Sequence, residues 1–145
     1  MPAEVAFHFN APDRVGYACR LLRKAYLKGA RLVVLVPDEQ VDELDQALWL
    51  MAPGEFVPHS VPGDPSTVQD RSPIRLVTAV PDTGGSAVLI NLRDEAPLGF
   101  ERFERVIDVV TMDDHDRQRA RQRWRHYVAA GVEPLRHDLK SSPGE

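Results

Sequence analysis

The chain has a single cysteine, Cys19, in 145 residues. No internal disulfide can staple it, and a reducing compartment suits it. No apolar run approaches the roughly 20 residues needed to span a bilayer. The opening stretch, MPAEVAFHFN, lacks the basic start and apolar run of a secretory signal. These absences give a cytoplasmic expectation with no membrane contact. Net positive charge is missing too. Lys+Arg number 18 against 22 Asp+Glu, a formal charge of −4. The whole molecule is therefore poorly suited to wrapping nucleic acid, and any anion site has to be a local patch.

Catalytic signatures are also missing. There is no G-x-G-x-x-G and no P-loop, so nothing marks a nucleotide site. His8, His59, His115, His126 and His137 are scattered, and no pair has zinc-ligand spacing with supporting Cys or carboxylate. Asp82-Thr83-Gly84 matches the aspartic-protease tripeptide. Asp-x-Gly is ordinary turn chemistry, however, and catalysis would need a second carboxylate to share the proton. Cys19 sits in a helical stretch without a partner His and reads as a core thiol. The expectation is a non-enzyme with no catalytic residue, metal or cofactor.

What is present is a globular composition, with 43% hydrophobic residues. One domain of this length buries roughly two thirds of its unfolded surface, so no staple is needed. Val5 to Phe9 alternates as a strand. Asp13 is a candidate cap for a helix from Arg14 to Lys28, with Gly29 closing it. Leu32 to Val36 is a continuous apolar run, as in a strand buried on both faces. After Pro37, Asp38 can cap a helix whose Val41, Leu44, Ala47 and Leu48 share one side. Met51 to Ser72, rich in Pro and Gly, reads as a long loop with a short extended piece at Glu55-Phe56-Val57. Ile74 to Val80 and Ala87 to Asn91 flank the turn signal Thr83-Gly84-Gly85-Ser86 and are predicted to pair as an antiparallel hairpin. A short helix from Phe100 to Arg105, a strand from Val106 to Val110 and a helix from Asp113 to Ala130, stopped by Gly131, follow. The polar stretch from Pro134 reads as a loose tail. This order predicts a three-layer α/β domain with a mixed, mostly parallel sheet.

The last helix carries the most information. Aspartates crowd its first turn, where the helix dipole favours them. Arginines then occupy alternate positions from Arg117 to Arg125. At about 100° per residue, Arg117, Arg121 and Arg125 fall within about 80° of one another, and Trp124 lies about 20° from Arg117. Arg119 and Arg123 point to the far side, and Ala120, Tyr127 and Gly131 form the adjoining buried stripe. Forked guanidinium donors beside an aromatic wall suit a ligand with one apolar group and one carboxylate or phosphate. A plain solvated helix face is the bland alternative. Direct binding of single-stranded nucleic acid is another, and it predicts steep salt dependence.

A second feature is Trp49, Phe56 and Val57 beside a Pro-rich loop. They either close the core or form an apolar docking patch. Together with LDQALW (Leu44 to Trp49), FVPH (Phe56 to His59), VLINLR (Val88 to Arg93), FERFERVIDVV (Phe100 to Val110) and RARQRWRHYVAAG (Arg119 to Gly131), these residues make the chain resemble the chi subunits of bacterial DNA polymerase III. The resemblance runs from Val5 to about Leu139, which sets a domain at 1–139 and a flexible tail at 140–145. It implies a Rossmann-like fold without nucleotide chemistry. It also implies a replicative adaptor with two partners and mainly indirect contact with DNA. One partner is the acidic C-terminal tail of single-stranded DNA-binding protein, held at Val110, Arg117, Arg121, Trp124, Arg125 and Gly131. The other is the psi subunit of the clamp-loader complex, met by Trp49, Phe56 and Val57. Trp124 stands where the best-known members carry Tyr, and it keeps the aromatic wall.

Overall fold

The computed structural model describes residues 4–50, 57–81 and 88–141. Six strands form one sheet: β1 (Glu4–Ala11), β2 (Leu32–Leu35), β3 (Ile74–Val77), β4 (Val88–Asn91), β5 (Arg105–Thr111) and β6 (Leu135–Asp138). Their order is β3-β2-β4-β5-β1-β6, and every pairing among them is parallel. Among the described residues, four α-helices accompany them: α1 (Arg14–Leu27), α2 (Val41–Leu50), α3 (Ser66–Arg71) and α4 (Asp114–Ala129). The result is the three-layer Rossmann-like arrangement expected from the sequence.

Three expectations need correction. The predicted hairpin does not form, because β3 and β4 both pair in parallel with β2, on its two sides. The sheet is therefore parallel throughout these strands rather than mixed. All four residues of β2 and of β4 are buried, the two-faced burial typical of parallel strands under helices. Thr83 to Ser86 lies outside the described residues, as does the Asp82-Thr83-Gly84 tripeptide. The second correction is within the expected loop, where α3 forms and Ser60 bridges to Arg75 beside β3. The third is the loose tail from Pro134, whose first part is β6, paired with β1 from Ala6↔Leu135 to Phe9↔Asp138. This strand is polar because it is the sheet edge and buries little.

Helix boundaries follow local chemistry. The Asp13 carboxylate accepts from the Gly16 N–H at 2.9 Å and caps α1. Gly131, with φ of 90°, closes α4 in the left-handed conformation glycine adopts freely. There the Val132 N–H donates to the Tyr127 carbonyl and the Gly131 N–H to that of Val128. This turn sends the chain back to β6.

The core lies on both sheet faces. α1 and α2 bring Leu22, Leu44 and Leu48 onto one face, against Val34, Ile90 and Ile107. α4 brings Ala120 and Tyr127 onto the other, against Phe7, Leu89 and Phe103. α1 leads from β1 to β2 on one face, and α4 leads from β5 to β6 on the other. Adjacent β1 and β5 thus send their connections apart, which makes their carboxyl ends a topological switch point.

Candidate functional site

α4 is fixed in rotation by polar groups in the core. Asp108 on β5 is fully buried and Arg123 is 2% exposed. Arg123 Nε donates to Asp108 at 2.7 Å, the Tyr127 hydroxyl donates at 2.8 Å, and the Asn91 amide donates at 3.1 Å. Arg123 also reaches the Asp94 carbonyl at 2.9 Å. Burial pushes the Asp108 carboxyl up, against the opposing pull of the Arg123 guanidinium and the Tyr127 and Asn91 donors. Burial likewise pushes the Tyr127 hydroxyl up, with Asp108 adding to the effect. The expectation that Arg123 points away from Arg117 holds. It points into the core, however, rather than to solvent. The signal was available: Asp116, Ala120, Arg123 and Tyr127, all buried, recur at helical spacing. The charge of Arg123 masked its place in that stripe.

Asp116 ties down the other end of α4. It accepts from the Thr111 N–H at 2.8 Å, the Thr111 hydroxyl at 2.9 Å and Arg14 at 2.6 Å, while Asp113 caps the Asp116 N–H at 3.0 Å. Burial raises the Asp116 carboxyl, but the Thr111 N–H and the Arg14 charge outweigh it and hold it below the usual range. These groups sit at the switch point, where a cleft is lined by Asp13, Asp94, Asp113 and Asp116 alongside Arg14. Four carboxylates against one arginine disfavour a phosphate there.

The basic cleft lies elsewhere, between α4 and the β1–β6 side of the sheet. Its volume is about 600 Å³. Phe7, Phe9, Val110, Ala120 and Trp124 supply apolar surface, and Arg117, Arg121, Arg125 and Arg136 supply charge. Of the residues named from the sequence, Val110, Arg117, Arg121, Trp124 and Arg125 all meet here. Gly131 is not among the lining residues and acts at the turn below α4. Phe7, Phe9, Asn10 and Arg136 were not anticipated. Phe7 and Phe9 follow from the alternation of β1, whereas Arg136 depends on the pairing of β6, which no periodicity signals.

The half-buried Trp124 ring meets Phe7 at 5.1 Å, tilted by 50°. The Arg136 guanidinium carbon lies 5.3 Å from the centre of the Phe9 ring. Arg117 donates to the Asn10 side chain at 2.8 Å, and the Asn10 amide donates to Asp138 at 2.9 Å. Asn10 occupies the left-handed region, φ 67°, at the bulge where the β1–β5 register shifts. Arg121 and Arg125 are exposed, and no ion pair to either is found among the described residues. The cleft thus offers an aromatic slot with two guanidinium forks available at its rim.

The other proposed surface is only partly placed. Trp49 is 56% exposed, at the end of α2, with its ring 5.8 Å from that of His59. His59 is held by Asp45 at 2.6 Å and by the Val57 carbonyl at 2.8 Å. Val57 is 2% exposed and packs into the core under α1 and α2. It is therefore no docking residue in this arrangement. Phe56 lies outside the described residues. Among the described residues, no group of three His, Cys, Asp or Glu is placed to hold a metal ion, and no helix is long and apolar enough to cross a membrane.

Comparison with known proteins agrees with the resemblance seen in the motifs. The family profile described as DNA polymerase III chi subunit, HolC, matches residues 1–134. The chain is 34% identical over 127 residues to DNA polymerase III subunit chi of Pseudomonas aeruginosa, covering 87% of each sequence. It is 32% identical over 116 residues to the protein of the same name from Haemophilus influenzae, covering 79% of each. With the Escherichia coli K12 protein, again a DNA polymerase III subunit chi, it shares 31% identity over 117 residues, 78% of this chain and 77% of the relative. A match over nearly the whole chain, on a parallel sheet whose basic cleft lies beside α4, places this protein in the DNA polymerase III chi subunit family.

Proposed function

We propose that the chain is a non-catalytic adaptor of a cytoplasmic replicase that captures the acidic C-terminal tail of single-stranded DNA-binding protein in the basic cleft. The observation that carries this reading is the convergence of Trp124, Val110 and Phe9 with the rim arginines Arg121 and Arg125. A peptide ending in an apolar residue and a free carboxylate needs both parts. Its last side chain lies against Trp124 and Val110. Its carboxylate meets Arg121, for which the guanidinium fork is well shaped. Acidic residues upstream run along Arg117 and Arg125. Exposed ion pairs contribute little each, so the apolar anchor sets most of the affinity and the arginines set steering and salt dependence.

The second contact of the adaptor is with the psi subunit of the clamp loader. Trp49 and the neighbouring Leu50, 79% exposed, give it an apolar foothold, and Phe56 follows six residues after Leu50 in sequence. No cofactor or metal is required for either contact, and DNA is reached mainly through the partner.

Titration by calorimetry with the tail peptide, free or amidated at its C-terminus, tests the carboxylate capture. Amidation is expected to weaken binding about tenfold or more, the loss of one charge-assisted, forked contact. Equal binding of the two peptides rules out the model. Retention on single-stranded DNA in the absence of any partner protein, with a steep salt slope, would favour direct nucleic-acid binding instead.

A further inference from the structure

Resting on that reading, we propose that Arg136, laid over the Phe9 ring, is a specificity residue of the same cleft: it holds one acidic side chain of the tail, across from the terminal carboxylate on Arg121. Arg117, Arg121 and Arg125 line the cleft from α4, whereas Arg136 lines it from the sheet. Arg136 pairs with Phe7 in the β1–β6 register, and paired residues on neighbouring strands point to one face. Its side chain therefore rises on the face where α4 packs, and its guanidinium carbon rests 5.3 Å from the centre of the Phe9 ring. A guanidinium held over a ring keeps its N–H edge for an anion and has less freedom to lose on binding.

The neighbouring carboxylate is satisfied by other donors. Asp138, the next residue on this face of β6, accepts from the Asn10 amide at 2.9 Å and from the Lys140 N–H at 3.0 Å. These two donors hold its carboxyl below the usual range, ahead of the Lys140 and Arg136 charges. Arg136 is exposed, and no ion pair to it is found among the described residues. An incoming acid therefore need not displace a partner. Packed layers lie about 10 Å apart, and an extended chain advances about 3.3 Å per residue. An acidic side chain about three residues or fewer from the C-terminus thus reaches Arg136 while the last side chain stays on Trp124. In addition to the acids along α4, this one crosses the cleft, so the tail is gripped from both walls.

The test is calorimetry with a parent tail peptide, acidic just before its apolar last residue and free at its C-terminus. Variant peptides replace each acid in turn by the matching amide. Each is titrated into wild-type protein, Arg136→Gln, Arg136→Lys and Arg119→Gln. Arg119 is outside the cleft lining, so its variant removes the same charge without touching the site. Arg136→Gln should weaken the parent peptide about three- to tenfold, the scale of one charge-assisted fork at an exposed site. Arg136→Lys keeps the charge without the fork and should fall between. One amide peptide, and only one, should no longer distinguish wild type from Arg136→Gln. An Arg136→Gln effect that persists with every amide peptide, or that Arg119→Gln reproduces, is general attraction and overturns the assignment. So does an absence of any effect. Coupling of Arg136 to amidation of the C-terminal carboxylate overturns it too, because Arg136 would then be the receptor of that group. Failure of the parent peptide to bind wild-type protein sinks the tail-receptor reading itself, and this inference with it. If Arg136→Gln loses an oligothymidylate but keeps the peptide, Arg136 serves a nucleic acid and the inference is overturned.

Discussion

Trp124 shows how one residue turns a charged helix into a selective surface. Helical spacing alone placed it beside Arg117, Arg121 and Arg125. The structure adds that its ring is held against Phe7, so the wall is ordered before any ligand arrives and little rotamer entropy remains to be lost on binding. Trp124→Ala is expected to weaken the tail peptide by about 2 kcal/mol, as for a central aromatic anchor. Trp124→Tyr, which keeps a flat ring, should cost only about threefold in Kd. Fluorescence anisotropy with a labelled peptide measures both. Losses of the same size in the two variants would remove the aromatic wall from the account.

At the level of the element, α4 is docked by charge as well as by apolar contact. Arg123 and Asp108 form an ion pair inside the core, 2% and 0% exposed in their side chains. Removing one partner of such a pair leaves the other buried and uncompensated, at a cost of about 3–5 kcal/mol. Arg123→Ala should therefore unfold at much lower urea than Arg119→Ala, although both remove an arginine from the same helix. Comparable midpoints would contradict the buried pair. The N-terminal end of α4 depends on Asp116 and Arg14, and its contribution varies with pH. The Asp116 carboxyl is held below the ordinary value of 3.8 in the folded protein. Its stabilisation is therefore present above the unfolded value and is lost as pH falls through the lower, folded one. Thermal melts of wild type and Asp116→Asn should differ most near neutral pH and converge as the pH falls well below the ordinary carboxylate value. A gap that stays constant across this range would show that ionisation of Asp116 plays no part.

On the scale of the whole molecule, burial decides which groups are available for chemistry. Cys19 is 4% exposed within the α1-side core. Burial pushes its thiol up to about 11, with the Asp13 charge adding and Arg20 opposing. At neutral pH the thiolate is scarce and the sulfur is covered, so a disulfide reagent should label it only as the fold opens. The expected readout is slow labelling in buffer and rapid labelling of one thiol in urea. Rapid labelling of the native protein would contradict this burial. The same balance between local pattern and long-range placement determines how much could be read in advance. The apolar runs of β2 and β4, the Asp13 and Gly131 signals at helix ends and the Trp124 face are local, set by residues within a turn or two of one another. The amino-acid order therefore determined them, along with the α/β class and the arginine row beside an aromatic. Strand partners and the burial of Val57 depend on contacts between residues far apart in the chain, which no local period encodes. β6 is the clearest case. Its polar residues gave no strand signal, yet pairing with β1 puts Arg136 opposite α4 and completes the cleft. The sequence by itself determined which residues face an anion from α4. Only the tertiary structure decided what stands across from them, because register and topology arise from packing the sheet as a whole.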